Sequence, residues 1–181
     1  MYNDVQLNKV EAWIRKIITH YNHEKYWKYR HKVVTPGGGT KIGNIVRLLY
    51  IKRADAYNNA SMGTHLNYGA TFVVPPQLPH GLNGIIVSHN AVIGKNVRIF
   101  HQVTVGEGKN GAPVIGDNVI IGAGSKLIGK IVIGNNVSIA AGCTVMQDIP
   151  DNSTVFPGNI TIKIKKGNNN GSKDINNYGN L

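Results

Sequence analysis

Residues 115–145 read IGDNVI-IGAGSK-LIGKIV-IGNNVS-IAAGCT-V, and an aliphatic residue leads each group of six. The same spacing continues upstream, with leads at Val87, Ile93, Ile99 and Val105. A small or β-branched residue stands four positions after the leads, at Ala91, Val97, Val103, Val119, Ser125, Ile131, Val137 and Cys143. Ten leads keep this register with one break, so a six-residue period is the strongest pattern in the chain.

A six-residue period fits neither an α-helix nor the two-residue alternation of an ordinary strand. It fits a short strand and a turn, repeated so that three hexads make one triangular coil. Stacked coils pair their strands in parallel at about 4.8 Å. Glycine and asparagine, as at Asn96, Asn118, Asn135 and Asn136, suit the tight corners. The sequence therefore predicts a mainly β fold, a left-handed parallel β-helix with the aliphatic leads inside.

The flanking segments predict caps for this solenoid, which cannot bury its ends alone. Helical spacing of apolar residues predicts one helix from about Val5 to Val33, with Trp13, Ile14, Ile17 and Ile18 on its apolar face. A second helix is expected over about Ile42–Tyr57, with Ile45, Leu48 and Leu49 on its apolar side. We divide the chain into a helical N-terminal region (1–62), a β-helix (63–165) and a polar tail (166–181) expected to be disordered.

The one break in register carries a prediction of its own. Val105 and Ile115 are ten residues apart, so a loop centred on residues 107–111 is expected to leave the β-helix at a corner. Insertions in solenoids often lie at a binding face. The single cysteine, Cys143, excludes an internal disulfide framework and a multi-cysteine metal site, and its place in the hexad predicts a core position.

Charge limits the choice of partners. Twenty Lys and Arg residues against nine Asp and Glu give a formal charge of +11, which suits nucleic acid, an acidic polymer or a phosphate-rich cofactor. The repeats lack the interleaved basic and aromatic residues that stack bases, so no nucleic-acid partner is expected. No apolar stretch reaches the ~20 residues of a membrane span, and no secretory signal is evident, so we expect a cytoplasmic protein.

Two short motifs refine the interpretation of the hexads: HGLNGIIV at residues 80–87 and HQVTVGEG at residues 101–108. With the hexads they resemble the hexapeptide-repeat acyltransferases, most of all the branch of serine acetyltransferases and the O-acetyltransferases of surface-polysaccharide gene clusters. The resemblance implies a homotrimer that binds acetyl-CoA between neighbouring β-helices, with a catalytic histidine at the mouth of the groove and no metal.

The resemblance also implies roles for particular residues. His80 is the candidate general base, because a neutral imidazole can take a hydroxyl proton near pH 7. The backbone N–H of Gly106 is a candidate oxyanion donor, and His101 is a candidate substrate contact. The residues expected to bind the cofactor are Gly106, Gly108, Lys109, Gly122, Ala123, Gly124, Ala140, Ala141 and Lys163. For each, an ordinary role remains open: an exposed corner histidine, a turn glycine or a solvated lysine.

Two departures from the serine acetyltransferases decide the expected acceptor. Pro79 stands where those enzymes have an aspartate before the catalytic histidine, and the loop of residues 109–113 lacks their second histidine. We therefore expect acetyl transfer to a hydroxyl of a sugar or a capsular or exopolysaccharide precursor. The alternatives are a serine O-acetyltransferase of cysteine biosynthesis, an N-acetyltransferase, a zinc-dependent carbonic anhydrase on the same fold, and a non-catalytic trimeric scaffold.

Overall fold

A computed structural model describes residues 13–14 and 17–158 of the chain. Within these ranges, helical backbone at 13–14 and 17–18 is followed by two helices that precede the β-helix: α1 (His23–Val34) and α2 (Lys41–Tyr57). Short strands follow in the described part of the chain: β1 (Ser61–Met62), β2 (Thr64–His65), β3 (Tyr68–Gly69), β4 (Thr71–Phe72), β5 (Ile86–Val87), β6 (Val92–Ile93), β7 (Arg98–Ile99), β8 (Thr104–Gly106), β9 (Val114–Ile115), β10 (Ile120–Ile121), β11 (Lys126–Ile128), β12 (Val132–Ile133), β13 (Ser138–Ile139), β14 (Thr144–Val145) and β15 (Thr154–Val155).

Apart from the antiparallel pair β2–β3, the strands form the three walls of a solenoid. The first sheet has the order β1-β5-β8-β11-β14, the second β12-β9-β6-β4 and the third β15-β13-β10-β7. All pairings within these sheets are parallel, and each joins strands of successive coils, such as Val87 with Val105 and Val105 with Leu127. This confirms the fold class that the hexads predict.

The hexad positions behave as predicted. The ten leads are buried, and so are the small and β-branched residues four positions later. Cys143 is 2% exposed, which confirms its core position. The residues between them alternate outward, as the strand period of two requires. The core is therefore a column of aliphatic side chains enclosed by the three sheets.

Asparagine ladders hold the corner between the second and third sheets. Asn96, Asn118, Asn136 and Asn152 have φ between 53° and 59°, a left-handed conformation that asparagine tolerates better than most residues. The side-chain amide of each of the first three donates to the Oδ1 of the next, at 3.0–3.1 Å. The register break lies at a different corner, between the first and second sheets, where Gly108 and Gly111 bridge each other across the loop.

The N-terminal helix is shorter than predicted. A single helix from Val5 to Val33 is wrong, because the chain turns at His20 (φ 50°) and a new helix begins after Asn22, whose side chain accepts the N–H of Lys25. The part of the prediction before Trp13 lies outside the described residues. Trp13 is 62% exposed, so the expected apolar face does not pack in the described chain.

The second helix has the predicted extent, but only part of its predicted apolar side packs against the core. Thr40 caps it by accepting the N–H of Gly43. Ile45 and Leu49 are 43% and 65% exposed, whereas Asn44, Ile51, Ala54 and Asp55 are buried. The buried face is the one that carries Asp55, which accepts a hydrogen bond of 2.7 Å from the hydroxyl of Tyr26 on α1. Apolar periodicity was therefore right for Leu48, which packs against the core, and wrong for Ile45 and Leu49.

Arg30 joins the helices to the first coil of the β-helix. Its guanidinium is 3% exposed and donates to the backbone carbonyls of Met62, Gly63 and Ala70 and to the hydroxyl of Thr64. Carbonyls at the open end of a solenoid would otherwise be buried without partners. The predicted tail of residues 166–181 lies outside the described residues. No helix in the described ranges is long and apolar enough to cross a membrane.

Candidate active site

The corner between the third and first sheets forms a continuous column of turns. The turns are Asn83–Gly84, His101–Gln102, Ala123–Gly124 and Ala141–Gly142, which we call the corner column. Backbone N–H groups link each turn to the one before it: Gln102 to the carbonyl of Asn83 (2.9 Å), Gly124 to that of His101 (3.0 Å), and Gly142 to that of Ala123 (2.8 Å).

Each turn of the corner column closes with a residue of positive φ, namely Gly84 (66°), Gln102 (58°), Gly124 (70°) and Gly142 (72°). A Cβ added to Gly124 or Gly142 would have no neighbouring atom within 4 Å, so the surface beside the column is open there. A Cβ on Gly122 would instead collide with the backbone nitrogen of Ala141 in the next coil. The turns Ala123–Gly124 and Ala141–Gly142 therefore present a smooth strip without large side chains.

Two histidines meet at the lower end of this strip. The Nδ1 atoms of His80 and His101 are 2.6 Å apart, and the ring centroids are 4.7 Å apart. The ring of Phe100 lies edge-on to His80 at 5.7 Å. His80 is exposed, whereas His101 is only partly exposed. His80 can thus reach a ligand from solvent while its Nδ1 stays in contact with His101.

This arrangement can perform proton transfer. An imidazole whose Nδ1 is engaged can use its Nε2 to take a proton from a hydroxyl within hydrogen-bond reach. The two predicted roles of His80 as base and His101 as substrate contact are not tested by this geometry. The contact between the two rings was not foreseen from the sequence, although both histidines were singled out.

The structure places several of the predicted cofactor residues together. Gly122, Ala123, Gly124, Ala140 and Ala141 all lie in or beside the corner column, on the coils that follow His101. Their backbones therefore continue the strip that begins at the two histidines. Binding of a cofactor by these residues stays a prediction, now with a common surface on which it would occur.

Gly106, Gly108 and Lys109 lie elsewhere. Gly106 is the last residue of β8, whereas His101 precedes that strand, so the length of an extended segment separates them, on the order of 15 Å at about 3.3 Å per residue. Gly108 and the exposed Lys109 belong to the loop at the next corner. Within one chain these residues do not reach His80. Lys163 lies outside the described residues.

The corner with the loop has a polar cluster that the sequence did not suggest. The carboxylate of Glu107 accepts hydrogen bonds from the hydroxyl of Ser88 (3.1 Å) and the side-chain amide of Asn90 (3.0 Å). His89 lies beside them and packs its ring edge-on against His65 and Tyr68, at 5.4 and 5.6 Å. Burial lowers the pKa of His65, and nearby Lys52 and His89 lower it further. His89 is thus in a corner apart from His80.

Comparison with known proteins gives one matching family. Residues 112–147 match the family described as bacterial transferase hexapeptide (six repeats). The chain is similar to a serine acetyltransferase of Buchnera aphidicola, at 43% identity over 94 residues, which are 48% of this chain and 36% of that protein. It is 40% identical over 105 residues to a serine acetyltransferase of Staphylococcus epidermidis, covering 54% of this chain and 48% of the relative.

Solved structures give the same result. Soybean serine acetyltransferase in complex with serine aligns with 72% of this chain and 52% of its own, at 28% identity and a TM-score of 0.57. Serine acetyltransferase of Neisseria gonorrhoeae in complex with serine aligns with 61% of this chain and 44% of its own, at 30% identity and a TM-score of 0.53. The chain spans about half or less of the length of these relatives.

These comparisons contradict the expected acceptor. The sequence led us to prefer a sugar or polysaccharide hydroxyl over L-serine, yet the relatives at 40–43% identity are serine acetyltransferases. The preference depended on two missing residues, the aspartate replaced by Pro79 and the loop histidine. Two missing residues are weaker evidence than the similarity of the repeats and of the motifs around them. Residues 112–147 thus match bacterial transferase hexapeptide repeats, and the chain is similar in sequence and fold to serine acetyltransferases.

Proposed function

We propose that this chain is a serine O-acetyltransferase that transfers the acetyl group of acetyl-CoA to the hydroxyl of L-serine. The observation that carries the proposal is the pair His80–His101 at the foot of the corner column, in a chain similar to serine acetyltransferases. The pair offers a base, and the strip above it offers a place for the long pantetheine arm of the cofactor.

The proposed reaction is a direct transfer. The Nε2 of His80 takes the proton of the serine hydroxyl while the hydroxyl oxygen bonds to the thioester carbonyl carbon. The C–S bond of the resulting tetrahedral species then breaks, and the departing thiolate of coenzyme A takes the proton back from His80. Holding both substrates beside the base supplies a further part of the rate.

The corner column suits the acetyl-CoA arm because its small residues allow close approach of the backbone. Gly124 and Gly142 leave open space where a side chain would stand. Backbone N–H groups beside bound thioester would be donors to the developing oxyanion, the role expected of Gly106. Because Gly106 and Lys109 lie one strand length from His80, that role requires the loop of a neighbouring copy.

The proposal therefore includes a homotrimer, in which the loop corner of one chain faces the corner column of the next. Neighbouring outward-pointing aliphatic side chains on one wall of the β-helix support an assembly: the paired residues Val114 and Val132 of the second sheet are 42% and 52% exposed in the single chain. Exposed apolar surface of this kind is typical of interfaces. The turns of the corner column and residues 78–82 contain no acidic side chain, so the ammonium group of serine would also depend on the neighbouring copy.

The test is release of free thiol from acetyl-CoA by the full chain, with L-serine as acceptor and L-alanine, which lacks the hydroxyl, as the matched control. We expect thiol release that depends on L-serine, and a product whose mass is that of serine plus one acetyl group. Thiol release with other hydroxyl compounds and none with L-serine would overturn the proposal. Binding of acetyl-CoA without transfer to serine would also overturn it.

A further inference from the structure

The contact between His80 and His101 restricts where the protons of the two rings can be. Their Nδ1 atoms face each other at 2.6 Å, which is a hydrogen-bond distance and too short for two hydrogens or for none. A neutral imidazole carries one N–H, on either Nδ1 or Nε2. In the neutral pair, one ring must therefore have its hydrogen on Nδ1 and a lone pair on Nε2, and the other ring has the reverse.

The surroundings of the two rings distinguish their roles. The turn of His101 is held from both sides, since its carbonyl accepts the N–H of Gly124 and Gln102 donates to the carbonyl of Asn83. His101 is also the less exposed ring of the two. His80 is exposed and lies in the longer turn that follows the third-sheet position of Gln77. The accessible ring is the one that can meet a substrate, and the fixed ring is its support.

We propose that His101 is a positioning residue for His80. Its Nδ1 accepts the Nδ1–H of His80 and so keeps His80 in the tautomer whose Nε2 carries the lone pair. This inference rests on the proposed function for the identity of the reaction, but the pairing itself does not depend on the acceptor. It replaces the direct substrate contact that the sequence suggested for His101.

The pairing accounts for the proton at each stage of transfer. When the Nε2 of His80 takes the hydroxyl proton, the ring becomes an imidazolium that carries hydrogens on both nitrogens. Its Nδ1–H stays bonded to the neutral Nδ1 of His101, and a hydrogen bond from a charged donor is stronger than one from a neutral donor. When the thiolate of coenzyme A removes the Nε2 proton, the pair returns to its starting state. A serine protease orients its catalytic histidine by the same principle, with a carboxylate in place of the second ring.

Three variants at position 101 separate positioning from packing and from substrate contact. His101→Phe keeps an aromatic ring but has no acceptor atom. His101→Asn places a carbonyl oxygen near the position of the lost Nδ1 and can accept the same hydrogen. His101→Ala removes both the aromatic ring and the acceptor atom. Circular dichroism and the unfolding midpoint of each variant show whether the β-helix is intact.

We expect His101→Phe and His101→Ala to lower kcat by roughly 10–100-fold, with KM for acetyl-CoA unchanged, because orientation of the base is lost. His101→Asn should recover most of the rate. A rise in KM for serine with unchanged kcat would overturn positioning in favour of substrate contact. Equal loss in the Asn and Phe variants would also overturn it, since packing or exact ring identity would then explain the effect.

The tautomer of His80 gives a readout that requires no turnover. In the 15N-histidine NMR spectrum of the wild-type chain, the signals lost in His80→Asn identify the ring, and we expect its proton on Nδ1. In His101→Phe this preference should disappear. An Nε2–H tautomer in the wild type, or a tautomer that ignores position 101, would overturn the proposal. The expected tautomer in a chain that does not acetylate serine would support the pairing and overturn only the proposed function.

Discussion

Gly124 donates its backbone N–H to the carbonyl oxygen of His101 at 3.0 Å, which fixes the first small-residue turn of the corner column directly against the coil that holds the histidine pair. A ligand lying along the column would therefore end within reach of the exposed ring of His80. This relationship connects the two parts of the proposed chemistry, a binding strip and a base, through the backbone of the solenoid itself.

The proposed binding of acetyl-CoA along the corner column can be tested by placing a large side chain there. Ala141 is exposed, and its turn follows that of Ala123 along the corner column. We expect Ala141→Trp to raise the dissociation constant of acetyl-CoA by about tenfold or more, which corresponds to ~1.4 kcal/mol or more of lost binding free energy. The indole would occupy the open space beside the turn. Isothermal titration of the variant with acetyl-CoA measures this change.

The matched control for this substitution is Lys95→Trp, which adds the same side chain at an exposed position of the corner between the second and third sheets. Its dissociation constant should stay at the wild-type value. If both variants bind acetyl-CoA normally, the corner column is not the cofactor site, and Gly122, Ala123, Gly124, Ala140 and Ala141 have a purely structural role.

His80 can be tested against a histidine outside the β-helix. We expect His80→Ala to lower kcat by about 10²–10⁴-fold, the usual contribution of a general base, with little change in acetyl-CoA binding. His31→Ala is the control, because that exposed histidine lies on α1. Thiol release under saturating substrates measures both. A His80 variant with near wild-type kcat would remove this residue from the mechanism.

The repeat region could be predicted in detail because one physical constraint acts on every hexad. Each hexad must bury one aliphatic lead and place a compact residue near its corner, so spacing alone identified the buried leads and the position of the loop. The contacts that hold the corners could be predicted less directly from the spacing. Asn96 and Asn118 were recognised as corner residues, but the side-chain ladder between them depends on coil-to-coil register.

The site and the cap could not be predicted to the same degree. His80 and His101 are 21 residues apart, three more than the 18 of three hexads, because the turn before β5 is irregular. Their contact therefore depends on a loop that the period does not describe. In the cap, the buried face of α2 includes Asp55, which accepts a hydrogen bond from Tyr26, and apolar spacing contains no information on such a contact.

Substitutions at the asparagine corner can separate the effect of the left-handed backbone conformation from the effect of the side-chain hydrogen bonds. Asn118 has a φ of 58°, donates to the Oδ1 of Asn136 and accepts from the amide of Asn96. Asn118→Gly keeps the left-handed turn and loses both bonds, whereas Asn118→Ala loses the bonds and strains the turn. We expect the alanine variant to lower the free energy of unfolding by ~1–2 kcal/mol more than the glycine variant. Urea unfolding measures the difference, and equal values would show that φ is not limiting at this corner.

The pH dependence of stability should report on Asp55. This carboxyl is 4% exposed, and burial raises its pKa from 3.8 to about 6 although the hydrogen bond from Tyr26 favours the ionised form. Between these two values the folded chain holds a proton that the unfolded chain releases. The contribution of Asp55 to the free energy of unfolding is therefore greatest below pH 3.8 and falls as the pH rises through 6, by up to about 3 kcal/mol at ~1.36 kcal/mol per pKa unit.

Asp55→Asn removes the titration while keeping a carbonyl oxygen that can accept from Tyr26. The difference in free energy of unfolding between wild type and this variant should favour the wild type more at pH 4.5 than at pH 7.5, and urea unfolding at both values measures it. Tyr26→Phe is the complementary variant. Because the hydroxyl lowers the pKa of Asp55, its loss should extend the falling part of the curve above pH 6. A wild type and an Asp55→Asn variant with parallel pH profiles would show that Asp55 ionises in the folded chain as readily as in the unfolded one.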